Sequence, residues 1–394
     1  MRTRTQVGIV GAGPAGLLLS HLLALRGIES VLIEIRSREY CEARQRAGVL
    51  EDGSVRLLRE AGLADRLDRQ GIEHGGIYLQ FAGERRHVDF RALTGRTVTV
   101  YAQTEVVKDI IARRVADAGP GAIQFSVTET AVSGLDSDRP VLRYTSEDGV
   151  RHEVTCDAIA GCDGFHGICR PAIPAQLLTT VEREYPYAWL GILADVPPST
   201  DELIYAHHRR GFALHSLRGP TVSRLYLQVD PDEDIADWPD DRIWAELGER
   251  FALPGWELKP GPVLDKGITP MRSFVSGPMR YGRLFLAGDA AHIVPPAGAK
   301  GLNLALADVA RLAPALDGLV RGQPEQAEAY SDACLDRVWR STHFSWWMTT
   351  MLHRTPGADE MEARLQLSQL HYVTTSRAAA TSLAENYTGL PLPS

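Results

Sequence analysis

Long apolar runs are missing from this sequence. No stretch approaches about 18 uninterrupted apolar residues, so no membrane-spanning helix is expected. The N-terminal MRTRTQVGIVGAGPAGLLLSHLLAL has the basic start of a secretory leader. Glycines and a proline interrupt its apolar part, however, and no small-residue cleavage site follows. Cysteine is scarce and unpatterned. Cys41, Cys156, Cys162, Cys169 and Cys334 are an odd number with no Cys-x-x-Cys pair. That argues against a disulfide framework or a zinc site and fits small buried hydrophobes in a reducing cytosol; no metal is expected. Excess positive charge is also lacking. The 42 Lys and Arg against 50 Asp and Glu leave a net −8, which argues against nucleic acid or an anionic membrane as the main partner. A local arginine can still hold a small anion. No internal repeat or low-complexity tract is evident.

What is present is an ordinary globular balance of 44% hydrophobic and 23% charged residues over 394 positions, enough for about two or three domains. Residues 5–34 read strand, Gly-rich turn, helix, strand, which is a βαβ unit. Residues 57–71 read as helix, 97–119 as a short strand entering a helix, and 123–161 as strands. Residues 185–230 are strand-rich, with turns at Pro197-Pro198 and Gly219-Pro220. RLFLAGDAAH (283–292) is a buried strand meeting a turn, 301–319 is helical, and helix dominates from 324 to about 385.

Gly11-x-Gly13-x-x-Gly16 follows the first strand and opens the helix. The first glycine permits a tight turn, the second lets a pyrophosphate approach the backbone, and the third lets helix and strand pack closely. Glu34 ends the second strand at the spacing of a carboxylate that holds a ribose hydroxyl. FAD and NAD share this fingerprint. Asp289, at a strand end, is placed to accept from a flavin ribityl hydroxyl, although alone it reads as a helix N-cap. The helix from Gly301 turns its N-terminal partial positive charge toward PPAGAKG, where a reduced flavin would carry negative charge.

In GFALHSLRG (211–219) a strand puts Phe212, Leu214, Ser216 and Arg218 on one face. A face that runs from aromatic to guanidinium reads either as a half-buried sheet with a rim arginine or as a site for an anion with an apolar body.

Taken together, GIVGAGPAGLLL, RAGVLE, TVTVYAQTEV, IAGCDGFHGI, ELIYAHH, RGFALHS, GRLFLAGDAAHIVPPAGAKGLNLA, FSWWMT and AENYTGLP closely resemble the flavoprotein aromatic hydroxylases, within them the branch that acts on 4-hydroxybenzoate. The resemblance covers nearly the whole length. It implies a mixed α/β fold: a Rossmann-like FAD-binding domain over 1–180 completed by 271–320, an inserted β-rich substrate domain over 181–270, and a helical C-terminal region over 321–394. It implies bound FAD, transient NADPH or NADH as co-substrate, and dioxygen activated as a flavin C4a-hydroperoxide that attacks the ring beside the phenolic oxygen. A homodimer without nucleic acid or membrane partner is also implied.

The resemblance assigns Ser216, Arg218 and Tyr226 to the substrate carboxylate; Ser and a planar guanidinium suit that role. Tyr205 and Tyr387 match a relay that removes the phenolic proton, and His74 its solvent end, since His titrates near working pH. Pro296 would offer its carbonyl to the phenol, with Lys300 and Asn303 beside the flavin as positive charge and hydrogen bond. FAD residues carried over are Gly11, Gly13, Ala15, Gly16, Glu34, Arg44, Arg46, Gln103, Asp289, Leu302 and Asn303. Nicotinamide residues are Arg36, Tyr40, Arg44, His166, Arg170 and Arg272. Without the resemblance a buried Tyr reads as a backbone partner and the arginines as a solvated face.

Two departures stand out. Ile35 replaces an arginine found in the best-known members. Arg36 and Arg38 can still meet a 2′-phosphate, whereas Ile35 relaxes the choice toward NADH, and both co-substrates stay open. Ala297 replaces a threonine near the substrate ring, so a roomier pocket that admits 3,4-dihydroxybenzoate is expected.

Overall fold

The computed structural model describes residues 1–44 and 48–392. Strand β1 (Val7–Val10), helix α1 (Pro14–Leu25) and strand β2 (Ser30–Ile33) form the expected βαβ unit. Both strands join a six-stranded sheet with Ile123–Gln124, Ala158–Gly161, Leu284–Leu286 and Arg280–Tyr281. Its central strands run parallel and fully buried, so they are apolar throughout rather than alternating.

The second large sheet has eight strands. In chain order these are β3 (Gly76–Phe81), β4 (Glu84–Asp89), β5 (Thr179–Ala194), β6 (Ile204–Ala206), β7 (Ala213–Leu217), β8 (Ser223–Val229), β9 (Val263–Gly277) and β10 (His292–Ile293). Their spatial order is β10-β9-β5-β8-β7-β6-β3-β4. This sheet therefore extends beyond residues 181–270, because the β3–β4 hairpin adds to it in parallel with β6. One face packs Ile192, Ile204, Ala213, Leu225 and Leu227 against helix α2 (Asp240–Arg250). The other face carries Trp189, Tyr205, Phe212 and Leu214.

Helices α3 (Gly301–Val320), α4 (Glu325–Leu352), α5 (Glu360–Thr375) and α6 (Arg377–Thr388) complete the chain. α3 packs on α1 and α4, inside the apolar core of the nucleotide half. The distal part of α4 with α5 and α6 covers the Tyr205 face of the large sheet. The expected helix over 57–71 is two helices, Asp52–Glu60 and Asp65–Gln70. Gly62, at φ 67°, lies in the break between them, a conformation that glycine adopts without strain. Among the described residues no helix is long and apolar enough to cross a membrane.

Candidate active site

One cavity of about 400 Å³ connects the Gly-rich turn to the substrate sheet. At the nucleotide end, Gly11 has φ 102°, and a Cβ there would stand 2.4 Å from the Cys162 carbonyl oxygen. A Cβ on Gly16 would stand 1.9 Å from the Gly11 carbonyl oxygen, whereas one on Gly13 would meet nothing within 4 Å. The three glycines thus supply a turn, a close packing contact and an open approach to the helix. Glu34 locks the turn: its carboxylate accepts the Ala12 N–H at 2.7 Å and the Arg36 N–H at 2.9 Å. Lone pairs remain on both oxygens for ribose hydroxyls.

Pro14, Ala15, Arg44 and Gln103 line this end, and Gly288, the exposed Asp289, Gly301 and Leu302 line the next stretch. The first α3 residue to donate within the helix is Leu304, to the Lys300 carbonyl at 2.8 Å. The N–H groups before it are available at the cavity and favour an electron-rich partner. A Cβ on Gly301 would meet nothing within 4 Å. An open first turn at α1, an exposed carboxylate at Asp289 and an open first turn at α3 fit the pyrophosphate, ribityl chain and ring system of FAD. Arg46 lies outside the described residues.

The substrate end is built by register. Gly267, Gly191, Tyr226, Leu214, Tyr205 and Leu79 stand in one row across β9, β5, β8, β7, β6 and β3. Ser216 pairs with Arg224 two rows on, so Tyr226 lies diagonal to Ser216 on the same face, within reach of long side chains. Ser216, Arg218, Arg224, Tyr226 and Tyr205 all line the cavity. Burial lowers the Arg218 pKa from its ordinary value, while nearby Tyr226 opposes that shift. The glycine at 191 makes room: a Cβ there would stand 2.8 Å from an Arg224 guanidinium nitrogen and 3.4 Å from the Tyr226 ring.

The Tyr205 and Tyr387 hydroxyls are hydrogen-bonded at 2.6 Å. Both residues are buried, and burial raises both pKa values. Tyr205 is on the cavity wall; Tyr387 stands behind it. Pro296 also lines the cavity. Its carbonyl accepts the Ala299 N–H at 2.9 Å and keeps a second lone pair. That turn ends with Ala299 at φ 53°.

Several expected roles change. His74 is not at the surface: it is fully buried, on a strand paired through Val98, and neither ring nitrogen has a hydrogen-bond partner among the described residues. Burial lowers its pKa, with the Glu202 carboxylate acting the other way. Lys300 reaches the cavity wall, but its ammonium pairs with Glu51 at 2.6 Å and donates to the Tyr387 carbonyl at 3.1 Å. Burial lowers its pKa and Glu51 counters this. The Asn303 side chain does not serve the cavity; it accepts the Glu51 N–H at 2.9 Å and donates to the Val49 and Ala299 carbonyls, each at 2.9 Å. Ala297 is fully buried in the core with Phe344. It does not line the cavity itself, but it packs in the same cluster as the cavity residues Tyr205 and Leu214.

The nicotinamide candidates fall into two groups. The Arg36 guanidinium lies 5.2 Å over the Tyr40 ring at the surface. Arg170 and Arg272 lie 4.8 and 4.9 Å over Phe165, whose ring also meets His166 at 4.9 Å. Arg170 donates to the Ala290 and Phe165 carbonyls, which leaves fewer donors for a ligand. Sequence reasoning missed Arg224, Trp189 and Glu51. Arg224 shares parity with Tyr226 on β8 and could have been found that way. Two of its guanidinium nitrogens are buried without a hydrogen-bond partner among the described residues.

Comparison with known proteins identifies the family and the fold. The family described as FAD binding domain matches residues 4–345. The p-hydroxybenzoate hydroxylase of Acinetobacter baylyi is 47% identical over 98% of this chain and 96% of its own. A 3-(3-hydroxy-phenyl)propionate/3-hydroxycinnamic acid hydroxylase of Burkholderia cenocepacia is 28% identical over 82% of this chain but only 58% of its own. Among solved structures, p-nitrophenol 4-monooxygenase of Pseudomonas putida shares the fold with a TM-score of 0.81 at 21% identity, over 99% of both chains.

Proposed function

The chain belongs to the FAD-dependent aromatic hydroxylases, and from that premise we propose that it hydroxylates 4-hydroxybenzoate at the 3-position with NAD(P)H and dioxygen. The observation that carries this reading is the cavity wall that holds Ser216, Arg218, Tyr226 and Tyr205, with Tyr387 hydrogen-bonded to Tyr205 behind it. A non-oxygenating flavin reductase needs neither a carboxylate clamp nor a phenol relay.

In this reading Arg218 takes the carboxylate through its guanidinium, and Ser216 and Tyr226 donate their hydroxyls to it. Arg224 adds a second positive charge at that end. Leu214 and Trp189 line the cavity beside the ring. At the far end the phenolic proton passes to Tyr205 as Tyr205 passes its own to Tyr387. Both tyrosines remain neutral throughout, so neither needs to ionise at working pH. His74 is the interior candidate for the next acceptor, and the Pro296 carbonyl orients the hydroxyl. Bound FAD supplies hydride acceptance and oxygen activation, and the buried walls exclude water from the reacting atoms.

Arg44 with the Arg36–Tyr40 and His166–Arg170–Arg272 groups is the proposed surface for NAD(P)H, and the protein is proposed to work as a homodimer. Incubation with 4-hydroxybenzoate, NADPH or NADH, and air tests the reading. It is expected to yield 3,4-dihydroxybenzoate; hydrogen peroxide alone, or no turnover, overturns it.

A further inference from the structure

His353, just past the end of α4, is fully buried and belongs to none of the roles above. Its ring lies between Phe212, at 4.4 Å and 29°, and Tyr187, at 4.8 Å and 14°. Its two nitrogens have fixed and opposite duties. Nδ1 faces the Thr349 carbonyl at 2.9 Å, which can only accept. Nε2 faces the Trp189 indole nitrogen at 2.5 Å, which can only donate. Nδ1 therefore carries the proton and Nε2 is the acceptor. A second proton would set two N–H groups against each other.

The substrate sheet receives the end of α4 through three side chains. Trp189 donates to His353, His207 Nδ1 donates to the Leu352 carbonyl at 3.0 Å, and Gln228 donates to the Arg354 carbonyl at 2.6 Å. Of the three, only Trp189 lines the cavity. Its ring lies 4.7 Å from Tyr226 and 5.3 Å from Phe212. An indole held at its N–H keeps one orientation, and that orientation sets where the Tyr226 ring can rest.

We propose that His353 is a positioning residue for the carboxylate end of the substrate site, acting through the Trp189 indole on Tyr226. The proposal rests on the reading of that site given above. His353→Phe keeps a flat ring for the stack and removes the acceptor; His353→Gln restores an acceptor at the position of Nε2. In the holoenzyme, His353→Phe is expected to raise both Kd and KM for 4-hydroxybenzoate about ten-fold, with kcat within about two-fold, because a buried indole N–H without an acceptor leaves its native orientation. The Gln variant is expected to recover most of that loss. The ¹⁵N–H resonance of the Trp189 indole, identified with Trp189→Phe, is expected to move in the Phe variant and return in the Gln variant.

A purely structural residue would lower Tm in both variants and leave Kd unchanged, and that result overturns the proposal. If the Phe variant does not fold, the native holoenzyme decides: a Trp189 indole resonance that does not respond to 4-hydroxybenzoate overturns it as well. A native enzyme that binds no 4-hydroxybenzoate overturns the functional reading and this proposal together. A native enzyme that binds it, beside a Phe variant that binds equally well, overturns this proposal alone.

Discussion

Arg218 and the Tyr205–Tyr387 pair divide the work of the proposed site between a fixed charge and a movable proton, and their variants should separate the two. A bidentate guanidinium and a point-charge ammonium hold a carboxylate differently. Arg218→Lys is therefore expected to weaken 4-hydroxybenzoate by about 1–3 kcal/mol, read as a higher Kd in titrations of flavin absorbance. An unchanged Kd would remove the clamp. Tyr387→Phe deletes one hydroxyl of the 2.6 Å pair without touching the cavity wall. Hydroxylation is expected to slow by about 10²-fold or more with substrate affinity little changed; equal rates in rapid-mixing measurements would show that the proton leaves another way. Lys300 behaves differently from both. Its Nζ lies in a buried ion pair, so Lys300→Met leaves Glu51 with Arg337, at 3.9 Å, as its one cationic partner among the described residues. Denaturant unfolding is expected to show a loss of about 3 kcal/mol, most of it recovered when Glu51 is also made Leu. These residues differ in how far the sequence reveals them. Ser216 and Arg218 stand out because a polar end on an apolar strand face is anomalous on its own. Lys300 and Asn303 were recognisable as residues of the turn, but their partners, Glu51 and Val49, lie about 250 positions away, and only the fold shows that the side chains are spent on them.

The element that shapes the clamp is a row of strands rather than one strand. Tyr226 finds its space because Gly191 opposes it on β5, and the Arg224 guanidinium reaches over the same glycine. Gly191→Ala places a methyl against both side chains. The Arg224 end is flexible and can yield, but the Tyr226 ring is held by Trp189. The expected result is weaker 4-hydroxybenzoate binding with unaltered FAD content, read from substrate titration beside the flavin-to-protein absorbance ratio. This row was only half legible beforehand. β8 alternates strongly, and Gly219-Pro220 marks the turn between it and β7. The first half of β5, Thr179–Glu184, is exposed at every position, and β9 begins nearly as exposed. Each exposed stretch pairs with the buried half of the other strand, Thr179–Glu184 with Arg272–Gly277 and Val263–Pro270 with Ala188–Ala194, and an exposed stretch has no buried face to impose a period of two. Its pairing partners are also some 90 residues apart. The β3–β4 hairpin escaped for a related reason: β4 buries one residue of six.

Across the whole molecule, the interior stores neutral histidines, and that sets an acid limit to stability. Burial holds the His353 pKa down at about 3 and the His215 pKa at about 4, whereas an unfolded histidine titrates near 6.5. Below that value the unfolded chain binds protons that the native chain refuses. The contribution of these two groups is therefore fully present above about pH 6.5 and declines as pH falls. His292 has the opposite sign. Burial alone would lower its pKa, but the Asp308 carboxylate at 2.7 Å raises it overall. Its contribution is complete below about pH 6.5 and fades as pH rises through its native value, so it does not mask the acid limb. From pH 6.5 to 5.0, above the range where most carboxylates titrate, His353 and His215 together should cost the native state about 3 kcal/mol. Equilibrium unfolding of the holoenzyme in denaturant at pH 7.5, 6.5 and 5.0 measures it. His353→Gln is expected to reduce the loss between pH 6.5 and 5.0 by about 1.5 kcal/mol, its share of that sum, since glutamine does not titrate. A native enzyme equally stable at pH 7.5 and 5.0 would mean that these histidines can be protonated where they stand, and then the fixed donor and acceptor at His353 could not be what holds Trp189.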